Sequence, residues 1–129
     1  MRLKLLVAVT VAGGWATGCA QVSTTSPMPM LPSLTLESAV QAALADASRR
    51  TGLAIEALQL HSAAAVTWRD GSLGCPQPDR AYTQALVPGY RVRIRAQGRE
   101  LDYHAGSRGA VVLCPADRAV EPLPDNGRR

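Results

Sequence analysis

The chain of 129 residues contains no phenylalanine, only two histidines and three cysteines, and no lysine after Lys4. Without Phe, and with Trp15, Trp68 and three tyrosines as the only aromatics, the core has to be built from Leu, Val, Ile and Ala, so it is thin. No apolar run approaches the length needed to span a bilayer as a helix. No CxxC pair occurs, which removes the common zinc and thiol-redox spacings. The formal charge of +4 includes Arg2 and Lys4, and the remainder carries +2, too little for a nucleic-acid footprint. There is also no Gly-x-Ser-x-Gly elbow to present a serine nucleophile.

What is present begins with an export signal. Arg2 and Lys4 supply a basic start, Leu5 to Val11 an apolar run, and Ala16-Thr17-Gly18-Cys19 a small-residue end. This layout resembles the bacterial lipoprotein signal, whose small residues precede a cysteine that becomes the acylated first residue of the mature chain. Ala16 stands where that family usually has Leu or Val. The resemblance implies a signal peptide over 1–18, lipidation of Cys19 and attachment to a membrane of the bacterial cell envelope. Ala20, rather than Asp, follows the cysteine; by the same resemblance this implies the periplasmic face of the outer membrane. The alternative is ordinary secretion with Cys19 left as a spare thiol.

With Cys19 acylated, Cys75 and Cys114 remain in a compartment that permits disulfides, and they are expected to pair. Closing a loop of that size stabilises a fold by about 4 kcal/mol in the chain-entropy model. A reactive or metal-binding pair is the rival reading, and it lacks nearby histidine partners.

Residues 19–33 are polar and proline-rich and read as a tether. The folded part is expected over 34–115, and 116–129, without an apolar face, is expected to fray. Leu36, Val40, Ala43, Leu44 and Ala47 recur at helical spacing, with Thr35 as N-cap, Gly52 as stop, and Glu37, Gln41, Asp46 and Arg49 outward. Leu58, Leu60, Val66 and Trp68 suggest an extended segment bulged around Ser62 to Ala65. Trp68 to Pro76 is turn-rich and should form a rigid loop. Tyr82 to Tyr90 reads as a strand ending in a turn at Pro88-Gly89, its two tyrosines packing on the helix.

The clearest strand pattern is a hairpin turning at Gln97-Gly98. It opposes Arg95 with Glu100, Arg93 with Asp102 and Arg91 with His104 on one face, and Ile94 with Leu101 and Val92 with Tyr103 on the other. A one-residue slip would turn arginines into the core, so the register is well specified. Ala110 to Cys114 then returns as a further strand. One helix on a three- to four-stranded antiparallel meander, stapled by a disulfide, is an α+β domain.

The three arginines attract an anionic group in principle, but their opposing acids make a solvated, cross-paired face the plainer reading. His104 adjoins Tyr103 and Asp102 in sequence; strand neighbours point to opposite faces, so these are not expected to form one constellation. A hydrolase using Ser72 or Ser107 with a histidine and Asp70 can be drawn, but no nucleophile elbow supports it, and Asp70 or Asp79 with a histidine lacks metal-ligand spacing.

Trp68-x-Asp70-Gly71-x-Leu73-Gly74, followed by Tyr82-Thr83-Gln84-Ala85-x-Val87-x-Gly89, resembles a group of uncharacterised exported bacterial proteins and brings no activity with it. Gln84 to Gly89 also has a loose likeness to the Gln-x-Val-x-Gly hairpin of cystatin-like protease inhibitors, one residue too long. The expectation is therefore a lipid-anchored, non-catalytic binding module without a cofactor or metal. Its partner would be an envelope protein, a peptide or a wall component, met by Trp68, Asp70, Gln84, Tyr90, Arg91 and Arg93.

Overall fold

The computed structural model describes residues 13, 14 and 33–124. The signal, Cys19 and the tether up to residue 32 lie outside the described residues, as do 125–129. Helix α1 spans Leu36–Thr51. Thr35 caps it by accepting from the Ser38 N–H at 3.1 Å, while the Ser38 hydroxyl accepts from the Thr35 N–H at 2.8 Å. Gly52, with φ 73°, ends it in the left-handed conformation.

The face that α1 buries is Ala39, Ala43 and Ala47, with Val40 and Leu44 on its flank, a slight rotation from the stripe expected. The contact is made of methyl groups because the sheet supplies the bulk, through Val92, Ile94 and Tyr103. Asp46 does not point outward: it accepts from the Tyr103 hydroxyl at 3.1 Å and pairs with Arg49 and Arg50.

Four strands, β1 (Gln59–Trp68), β2 (Val87–Ala96), β3 (Arg99–Gly106) and β4 (Val112–Cys114), form one antiparallel sheet in sequence order. The β2–β3 register is the one that the alternation predicts, with Arg91 opposite His104, Arg93 opposite Asp102 and Arg95 opposite Glu100. Gln97 and Gly98 both take positive φ, 51° and 75°, as a two-residue hairpin turn requires. In β1 the register shifts between Leu60 and Ser62, close to the expected bulge.

Pro88-Gly89 does not turn the chain but lies inside β2, opposite Thr67 and Val66. The Pro88 carbonyl accepts from Ser107, just past the end of β3, and the Ser107 carbonyl, which a proline cannot serve, accepts from the Leu34 N–H instead. Tyr90 does reach the helix start, donating to the Leu34 carbonyl at 2.9 Å. Tyr82 does not; its hydroxyl accepts from the Gln77 N–H.

Cys75 and Cys114 are bonded, their Cα atoms 5.7 Å apart, fastening the loop after β1 to β4. The chain beyond Cys114 departs from expectation. Instead of fraying, 116–124 crosses the face of the sheet opposite α1 as a strap: Val120 donates to the Gly74 carbonyl and Leu123 to that of Thr67. Its stability comes from backbone partners some fifty residues away, which no local pattern announces.

Candidate functional site

Between the sheet and the strap lies a knot of polar and aromatic side chains. Strand alternation places Trp68, Arg91, Arg93, Asp102 and His104 on this face, away from the helix. Trp68 is fully buried and spans β2 to donate its indole N–H to the Ala105 carbonyl at 2.9 Å. It can cross because residue 89 is glycine: a Cβ there would collide with the Ala105 carbonyl oxygen and press on the indole nitrogen. On its other side the indole meets Gly74, whose φ of 66° and contact with the ring both exclude a side chain.

His104 stacks on Trp68 with ring centroids 4.5 Å apart. Its Nδ1 carries the hydrogen that bonds the Leu73 carbonyl at 2.7 Å, since a carbonyl only accepts. Its Nε2 lies 3.3 Å from Asp102 Oδ1, off-line for a hydrogen bond. Asp102 and His104 are two apart on one strand and so share a face; only Tyr103 points to the other side, and the expectation that all three stay apart is corrected in this respect. Arg91, also buried, grips Asp102 with Nε and Nη2, at 3.0 and 2.7 Å to its two oxygens, and gives Nη1 to Glu121 of the strap. Burial works to raise the Asp102 pKa, but the Arg91 guanidinium, with the His104 ring close by, outweighs it and holds the carboxyl well below its ordinary range. Glu121 is held low chiefly by its hydrogen bond from Arg91.

This arrangement disperses the surface expected from the sequence. Trp68 and Arg91 are interior, so the arginine face is covered at Arg91, while Arg95 stays exposed. Arg93, partly exposed, lies 3.7 Å from Glu100 and 3.4 Å from Glu121. Asp70 accepts from the Ser72 N–H at 2.8 Å and sets the turn that presents Gly74. Gln84 is exposed on the loop before β2, bonded to the Tyr82 carbonyl, and Tyr90 sits on the helix side. The segment from Gln84 to Gly89 runs from that loop into a paired strand and is not a hairpin tip.

Two hollows open beside the knot. A groove of about 980 Å³ follows β1, lined by Ala64 to Thr67, Pro88, Tyr90 and the strap's Leu123. A more polar recess of about 490 Å³ lies between the 71–83 loop and β4, with Arg80, Tyr82 and Arg118 among its walls.

A family model described as a domain of unknown function, DUF8738, matches residues 40–114. The chain belongs to the DUF8738 family. No curated protein and no solved structure matches it. The DUF8738 span contains Trp68, Gly74, Gly89, Arg91, Asp102 and His104, but stops short of Glu121. The strap that closes this DUF8738 fold is therefore drawn from beyond the matched region. In the DUF8738 domain the Trp68-x-Asp70-Gly71-x-Leu73-Gly74 stretch and Gly89 are the two walls of one tryptophan slot.

Proposed function

We propose that this is a lipid-anchored protein of the bacterial cell envelope whose DUF8738 domain is a non-catalytic binding or accessory module. The observation that carries the proposal is Cys19 at the end of an export signal, with small residues before it and a proline-rich stretch after it. The Cys75–Cys114 bond supports it, because such bonds persist in oxidising compartments. The buried state of His104, shut between Trp68 and a backbone carbonyl, favours a structural role for the one histidine that has a carboxylate close by on its own strand. A partner's contact surface would exclude Trp68 and Arg91, which are interior.

Acyl chains hold a protein to a membrane by about 0.8 kcal/mol per buried CH₂, and more than one chain is needed for a stable hold. Cys19→Ser is thus expected to move the protein from the membrane fraction to the soluble envelope fraction. Fractionation followed by intact-mass measurement checks this; a Cys19→Ser protein that stays with membranes, or a wild-type product with no added lipid mass, overturns the anchor.

A further inference from the structure

The outer edge of β1 is the longest open edge of the sheet, and its backbone tells which groups it offers. In an antiparallel ladder each residue turns its N–H and C=O to the same side, and neighbours alternate. Leu123 donates to the Thr67 carbonyl from outside, so Thr67 faces away from β2. By alternation along the regular stretch from Ser62 to Trp68, Ala65 and Ala63 face outward too. Among the described residues, Leu123 is the only one whose backbone reaches this edge. Among the described residues the N–H and C=O groups of Ala63 and Ala65 have no partner on that side.

Edges of this kind are usually guarded by lysine, proline or a bulge. Here the bulge at His61 guards the first part of β1, but Ser62 to Trp68 holds no ionisable residue and no proline. We infer that this edge pairs with the same edge of a second copy of the chain, antiparallel about a two-fold axis at Ala64. Ala63 then opposes the partner's Ala65 and Ala65 the partner's Ala63, each pair exchanging both N–H···O bonds, so the four outward groups of each copy are satisfied. Ala64 faces its own counterpart in a non-hydrogen-bonded pair, where Cα atoms come within about 4.5 Å; two methyl groups fit and two like charges repel. Ser62 faces the partner's Val66. The stretch carries no charge to repel its copy, and its groups self-match about one residue, which is what an isologous contact requires. The groove beside Ala64 to Thr67 gives the second strand room, and Leu86 on its rim, 64% exposed, gains cover.

The test is the mass of the full-length chain in mild detergent by sedimentation. Wild type is expected to be a dimer in the micromolar range. Ala65→Pro removes an outward N–H and leaves the β1–β2 ladder intact; Ala64→Glu places two carboxylates face to face at the axis. Each is expected to weaken association by at least about tenfold, a change of about 1.4 kcal/mol, with an unaltered circular-dichroism spectrum. If Ala65→Pro disturbs the fold, Ala64→Glu, a change at an exposed methyl, carries the test alone. A monomeric wild type, or a dimer indifferent to Ala64→Glu, overturns the inference. So does a monomer that takes an unrelated extended peptide along β1.

Discussion

Trp68→Ala is expected to destabilise the domain by about 3–5 kcal/mol, the usual range for emptying a buried aromatic site. Against a total of about 5–15 kcal/mol for domains of this size, that leaves little or nothing. The loss is large because three elements rest on one ring. The indole covers Gly89, fills the space before Gly74 and stacks on His104, and its N–H satisfies the Ala105 carbonyl. Trp68→Phe keeps most of the packing but removes the indole's bond to the Ala105 carbonyl, so a smaller loss of about 0.5–1.5 kcal/mol is expected. Urea unfolding followed by circular dichroism separates the two. A Trp68→Ala midpoint within error of wild type would refute the slot as a structural centre.

Asp102→Asn is expected to cost about 3 kcal/mol near neutral pH, because it leaves the buried Arg91 guanidinium short of its bidentate counter-charge. Glu121 cannot substitute for it, being 75% exposed and therefore worth at most about 1 kcal/mol to Arg91. The cost should vary with pH in a defined direction. The folded-state pKa of Asp102 is depressed, so in acid the unfolded chain binds the proton that the folded chain refuses. Its contribution is complete above the unfolded value of about 3.9 and drains away as pH falls below that toward the folded value. Wild-type stability should therefore drop from about pH 4 downward, and the gap to Asp102→Asn should narrow with it. Asp46 and Glu121, also depressed, add slope of the same sign in both proteins. Denaturation midpoints across about pH 2 to 7 decide it; a gap that stays constant or widens in acid would refute this role of Asp102.

The β2–β3 hairpin was legible because two independent patterns, charge on one face and apolar residues on the other, demand the same register. The helix caps were legible because they are local. The helix's contact face was not: Ala39 reads as neutral until the bulk of Ile94 and Tyr103 opposite it is known. Pro88-Gly89 was misread as a turn, since the dipeptide is ordinary punctuation and only the indole of Trp68 explains the glycine. The association of Asp102 with His104 is encoded in their two-residue spacing, which puts both on one face of β3 while Tyr103 between them takes the other. The strap was beyond reach, because Gly74, Thr67 and Arg91 are its partners only once the sheet exists.

That strap also bears on where the chain can be trimmed. The tryptophan slot and the Arg91–Asp102 pair lie wholly within residues 68–105, so they are complete in sequence without Glu121 and Leu123. A fragment trimmed to the matched span, ending at residue 114, would keep the Arg91–Asp102 pair but lose the carboxylate on Arg91 Nη1 and the backbone bonds of Val120 and Leu123.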